Sequence, residues 1–271
     1  MSESTIFLNG YARGGTNIVW NLLQSHPDIT TPIDEIGQLR RRSLKLRIAM
    51  AGAKKSSYFR KIVKRELEAY QLNTLTDPDN QFKAEGVRYN ENEVASSCLC
   101  LKGVTDDVLL ADSLLAVYPG LYFIALVRNG YALADGYLRG GKTIEEAADI
   151  YGRVYSQIKR CEKLIPNFMM IKFEDVLEDP FGVSQKLFEF VGAEPTKLDH
   201  LRLKSKRVIQ STGEATPAFG ERGRKYWFDR ESIGQILDPS ITSTQISRLS
   251  LENKQRFASS ASEAMEYFGY E

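Results

Sequence analysis

The sequence predicts an α/β fold, a three-layer sandwich built on a central, mostly parallel sheet. Three observations lead there. Apolar runs of strand length alternate with segments of helical periodicity along most of the 271 residues. Residues 121–127 form a continuous apolar run, the mark of a central strand buried on both faces. The first strand runs into a glycine-rich turn that opens directly into a helix. No repeat and no dividing linker is visible, so residues 1–271 are read as one domain, with a basic helical insertion at about 38–96.

The elements follow in order. Thr5, Ile6, Phe7 and Leu8 read as a buried strand, and Ile18, Val19, Leu22 and Leu23 as a helix that stops at His26-Pro27. The stretch bounded by Arg40 and Arg65 has cations on amphipathic helices and no acidic residue. Residues 73–92 are polar, rich in turn formers and read as a surface excursion. Residues 97–101 form a strand, on which Cys98 and Cys100 alternate as small apolar residues. Thr105, Asp106 and Asp107 then cap a helix over 108–118. Thr143 and Glu146 fit a capping box for a helix reaching Leu164. After a strand over 168–172, Asp179-Pro180 opens a helix that Gly192 closes. The tail over 251–267 is helical, and His200 is assigned to a basic helical stretch.

Composition narrows the function. A formal net charge of +1 and a pI near 7.6 argue against nucleic-acid binding. Three scattered cysteines lack the paired spacing of a zinc site. The start of the chain shows no apolar stretch of signal or anchor length, so a soluble, cytoplasmic protein is expected.

The chemistry starts at Gly10-Tyr11-Ala12-Arg13-Gly14-Gly15-Thr16-Asn17. This keeps the Gly-x-x-x-x-Gly frame of a P-loop NTPase-like cradle, in which backbone N–H groups and a helix N-terminus hold phosphate. The lysine and the Mg²⁺-binding hydroxyl of a nucleotide triphosphatase are replaced by Thr16 and Asn17, and the cation has moved to Arg13.

With Arg13-Gly14-Gly15-Thr16-Asn17 and His26-Pro27-Asp28, the chain resembles the sulfotransferases that use 3′-phosphoadenosine 5′-phosphosulfate (PAPS). Their first loop reads Arg/Lys-Ser-Gly-Thr-Thr/Ser, and the helix after it ends in His-Pro-Asp. The likeness is closer to the bacterial, carbohydrate and tyrosylprotein branch than to the cytosolic steroid and phenol enzymes. It extends to Leu101-Lys102, to the apolar strand ending in Arg128, to Phe173-Glu174-Asp175 and to a basic loop between helices with Arg222, Arg224 and Lys225.

The resemblance implies a PAPS-dependent sulfotransferase that needs no metal. Residues Arg13 to Asn17 would hold the 5′-phosphosulfate, and Arg128 the 3′-phosphate, for which a planar guanidinium is suited. The family's partner serine for that phosphate falls on Gly136, leaving the pocket one hydroxyl short unless Tyr137 or a backbone N–H compensates. Arg222, Arg224 and Lys225 would clasp the 3′-phosphate and adenine. Arg13 and Lys102 would stabilise charge in the transfer, and Glu35 is preferred over Asp34 as general base. The acceptor would be a small molecule, a glycan or a lipid. The acid-free stretch from Arg40 to Arg65 could make peripheral membrane contact, line a pocket for an anionic acceptor, or form an ordinary solvated face. A P-loop small-molecule kinase, or a non-catalytic nucleotide-binding or membrane-surface protein, is the alternative.

Overall fold

The computed structural model describes residues 4–195, 198–205, 207–209, 215–217 and 219–270, with 207–209 and 215–217 described as backbone only. Strand β1 (Thr5–Gly10), helix α1 (Thr16–Leu23) and the short strand β2 (Ile29–Thr30) come first. Helices α2 (Ile36–Arg42), α3 (Leu44–Gly52) and α4 (Ser57–Leu72) make up the basic stretch. The expected surface excursion holds a 3₁₀ turn, a two-stranded hairpin of β3 (Phe82–Ala84) and β4 (Val87–Arg88), and the start of α5 (Glu91–Ser96).

The α/β alternation resumes with β5 (Cys98–Val104), α6 (Ala111–Val117), β6 (Tyr122–Val127), α7 (Gly130–Leu138), α8 (Ile144–Leu164) and β7 (Asn167–Lys172). Then come α9 (Phe173–Glu178) and α10 (Pro180–Val191), strands β8 (Leu201–Lys204), β9 (Arg207–Ile209), β10 (Ala215–Pro217) and β11 (Lys225–Phe228), and helices α11 (Arg230–Ile236), α12 (Ile241–Arg248) and α13 (Leu251–Tyr267). The capping box of α8 and the Asp179, Pro180 and Gly192 boundaries of α10 form as their sequences imply.

Five strands make one parallel sheet in the order β2-β5-β1-β6-β7. Alternate residues of β1 serve two cores. Phe7 packs with Leu101, Phe123 and the α8 and α13 side, whereas Ile6 and Leu8 pack with Cys100, Ile124 and the α1 and α10 side. Strand order reverses around β1, so the C-terminal ends of β1, β5 and β6 surround one crevice, the usual ligand position in such sheets.

Three expectations are corrected. The helix expected over 108–118 begins as a 3₁₀ turn (Thr105–Leu110), because Asp107 caps the Val104 N–H and Thr105 sits at φ 51°. His200 lies outside any helix, just before β8. The segment at Lys225 is a strand paired antiparallel with β8, not a loop between helices. No described helix is long and apolar enough to cross a membrane.

Candidate active site

The crevice is floored by the turn between β1 and α1. Arg13 (φ 66°) and Gly15 (φ 90°) both adopt left-handed backbone, the conformation that turns successive N–H groups into a common concavity. For Arg13 this is strained, a feature that gathers at binding sites. At Gly15 only glycine fits, since a Cβ would stand 2.1 Å from the Phe173 ring. The Ala12 amide donates to Thr105 Oγ1 and the Gly14 amide to the Tyr11 carbonyl. The amides of Gly15, Thr16 and Asn17 head the helix and have no intrahelical acceptor. They face the position where an anion would be held.

On one side of this cradle stands Lys102, near the end of β5 and fully buried. Its Nζ donates to Glu35 Oε1 at 2.6 Å and to Asn17 Oδ1 at 2.7 Å, and lies 5.0 Å from the Trp20 ring centre. Burial pulls this ammonium below the usual lysine range, and the Glu35 carboxylate opposes that shift. Glu35 is the N-cap residue of α2, yet its side chain makes no capping bond and points instead at Lys102. Asp34 turns the other way, onto Arg42. With 24% of its side chain open, Glu35 borders a cavity shared with Asn17.

The other side belongs to α7. Arg13 is exposed and runs along this helix: a Cβ built on Gly136 would lie 3.5 Å from Arg13 Cβ, and one on Gly140 3.7 Å from its Nη2. Arg128 is buried beneath the loop. It donates to the Arg13 carbonyl at 2.8 Å and to Gln245 Oε1, and stacks 4.4 Å over Phe173. Its Nε is buried without a partner among the described residues. Burial lowers this guanidinium to about 10, still far above neutrality. Tyr137, next to Gly136, has a buried hydroxyl with no hydrogen-bond partner among the described residues.

Several sequence expectations are thus regrouped. Lys102, Glu35 and Asn17 come together. Arg13 does not join them, since its side chain follows α7 toward Gly136. Arg224 pairs with Asp79, and Lys225 is held by Gln24 and Asn80, so neither shares a partner with Arg128. Lys225 lines the Glu35 cavity instead, where burial holds its ammonium well below the usual range. Arg222 is exposed on the preceding turn. No residue of the stretch from Arg40 to Arg65 lines that cavity, and Arg42, Lys45 and Lys54 pair with Asp34, Glu66 and Asp112. Asn21, Asn80 and Gln245 carry no signal along the chain, because their placement depends on contacts across the fold. Among the described residues no group of three His, Cys, Asp or Glu is arranged to hold a metal.

A model of the sulfotransferase family matches residues 5–197, a span that contains the loop, Glu35, Lys102, Arg128 and Gly136 but not Lys225. No curated protein sequence matches the chain. The sulfotransferase domain of the Synechococcus PCC 7002 olefin synthase superposes with a TM-score of 0.59 at 16% identity, over 99% of this chain and 95% of that one. The sulfotransferase domain from the curacin biosynthetic pathway gives 0.55 at 16% identity, over 99% of this chain and 98% of that one. Both have this chain's fold.

Proposed function

The chain belongs to the sulfotransferase family, and we propose that it transfers the sulfuryl group of PAPS to a hydroxyl or amine acceptor without a metal ion. One observation carries the proposal: a buried, ion-paired lysine, Lys102, stands beside the anion cradle with a carboxylate and an amide on its ammonium. The residues present fit the donor. The left-handed turn and the first amides of α1 suit the 5′-phosphosulfate. Arg128, whose Nε has no partner among the described residues, and Arg13 across Gly136 suit the 3′-phosphate end.

In the transfer, the acceptor oxygen bonds to sulfur as the bond from sulfur to the bridging phosphate oxygen breaks. That oxygen leaves with the electron pair, giving adenosine 3′,5′-bisphosphate and a sulfate ester. Glu35 takes the acceptor's proton. Its Oε1 is held by Lys102, while Oε2 has no hydrogen-bond partner among the described residues. Lys102 meets the negative charge that develops on the departing and sulfuryl oxygens. A cation already in place and shielded from water is commonly the largest single catalytic contribution.

Adenosine 3′,5′-bisphosphate should raise the melting temperature by several degrees at concentrations far above its Kd, and ATP with Mg²⁺ should do little. An equal response to both nucleotides would argue for a kinase-like site and against this one.

A further inference from the structure

The cavity beside Glu35 has a volume of about 210 Å³, below the roughly 300–1,000 Å³ of sites for drug-sized ligands. It has room for about one ring-sized unit. Its walls carry the side-chain amides of Asn17, Asn21, Gln38 and Asn80, while among the described residues Trp20 and Ile33 are its only large apolar ones. Asn21 is 4% exposed, and its Oδ1 has no hydrogen-bond partner among the described residues. A buried amide oxygen without a donor is costly, so a ligand that brings one is favoured there.

The charged wall residues carry both signs. Asp34, Glu35, Asp77 and Asp79 would repel an anionic acceptor, and Lys204 and Lys225 an ammonium. Three of the carboxylates already have cations: Asp34 has Arg42, Glu35 has Lys102 and Asp79 has Arg224. Asp77 caps the amides of Asp79 and Asn80. Beside Lys204 and Lys225, which have no carboxylate partner among the described residues, what remains is a dense set of neutral donors and acceptors. A neighbouring cavity of about 120 Å³ shares Asn17, Asn21 and Lys204 with this one and is otherwise apolar, lined by Leu203, Phe219 and Leu237, but Glu35 is not part of it. An apolar acceptor would find space there without the base.

Granted the sulfotransferase reading of this site, we infer that the acceptor is an uncharged polyhydroxylated unit, sugar-like or cyclitol-like, seated between Glu35, Asn21 and Asn80. Each hydroxyl of such a unit both donates and accepts, which suits amides and paired carboxylates better than a phenol, an alkyl alcohol or an ion would.

The test uses the purified full chain with radiolabelled PAPS. Methyl glucoside, methyl galactoside and myo-inositol are compared with 4-nitrophenol, 1-octanol, glucuronic acid and glucosamine. Calorimetry with adenosine 3′,5′-bisphosphate is run first. At least one neutral polyol should be sulfated with a kcat/KM tenfold or more above every other class. Asn21→Leu should raise KM for that polyol about threefold to tenfold, the worth of one hydrogen bond, with affinity for the bisphosphate unchanged. Gln38→Leu, at a half-buried position, tests the same wall should Asn21→Leu fail to fold. Bisphosphate binding followed by labelling of the phenol, the alkanol or the charged sugars in preference to the polyols overturns the inference. So does labelling of nothing, or a KM that neither substitution moves. Absence of bisphosphate binding fails the donor assignment itself, before any acceptor is added.

Discussion

The two flanks of the cradle each present a strand-end cation to the same turn, and they hold it in opposite ways. Lys102 is fully buried, and its ammonium is fixed by a carboxylate and an amide that both belong to the crevice. Arg128 is also buried, but its bonds run to the Arg13 carbonyl, Gln245 and the Phe173 ring, so it supports the loop from below. Arg13 is an exposed cation on that flank. Bonded to scaffold, a cation stiffens the site; bonded to a base and a cradle residue, it is poised for charge that appears only during reaction. Chemistry is therefore expected on the Lys102 flank, and binding on the Arg13 flank.

Lys102→Met tests that division most severely. It keeps the apolar stem and removes the charge, and kcat should fall by about 10²–10³ with little change in bisphosphate affinity. An equal loss from Arg13→Ala would erase the distinction between the flanks. Glu35→Gln should lower kcat by roughly 10²-fold, within the range for a lost general base. The alkaline side of the pH profile adds a sign. Burial makes Lys102 easier to deprotonate, so activity that needs its charge should begin to fall below the usual lysine value of 10.5. A plateau reaching that value would show that the charge of Lys102 is not required.

Arg128→Ala and Arg13→Ala should separate by stability. Loss of Arg128 removes two charge-assisted hydrogen bonds and a stacked ring contact beneath the loop, and should cost about 3 kcal/mol without any ligand. Arg13 is exposed, and its removal should leave the melting temperature nearly unchanged while weakening bisphosphate binding about fivefold to tenfold. Differential scanning fluorimetry and calorimetry on the two variants read both quantities.

How much of this was legible in the chain depends on distance along it. The cradle is local: five consecutive residues between a strand and a helix specify it, and its glycines mark where a side chain would collide. Strand-end positions of Lys102 and Arg128 follow from the apolar runs before them. What those cations touch does not. Glu35 lies 67 residues from Lys102, and only the pairing of β1 with β5 and the entry of α2 bring them together. The left-handed turn of Arg13, which sends its side chain along α7, has no sequence signal, because that conformation is unusual for arginine. The family resemblance places Lys225 with the 3′-phosphate. Pairing of β11 with β8 turns it instead toward Gln24 and Asn80.

The smallest expected effect sharpens the comparison at Gly136, where the family's partner serine for the 3′-phosphate is missing. A Cβ on Gly136 would make only ordinary contacts, 3.5 and 3.7 Å from Arg13 Cβ and Cγ, so Gly136→Ser fits the helix as it stands. Two effects then add. Replacing a helical glycine should stabilise the fold by about 0.5 kcal/mol. If the 3′-phosphate lies on this flank, the serine hydroxyl should also tighten bisphosphate binding by about fivefold. Gly136→Ala separates them, because it gains the helix contribution without the hydroxyl. A serine variant that binds the bisphosphate no better than the alanine variant would move the 3′-phosphate away from Gly136, and with it the binding role given to Arg13.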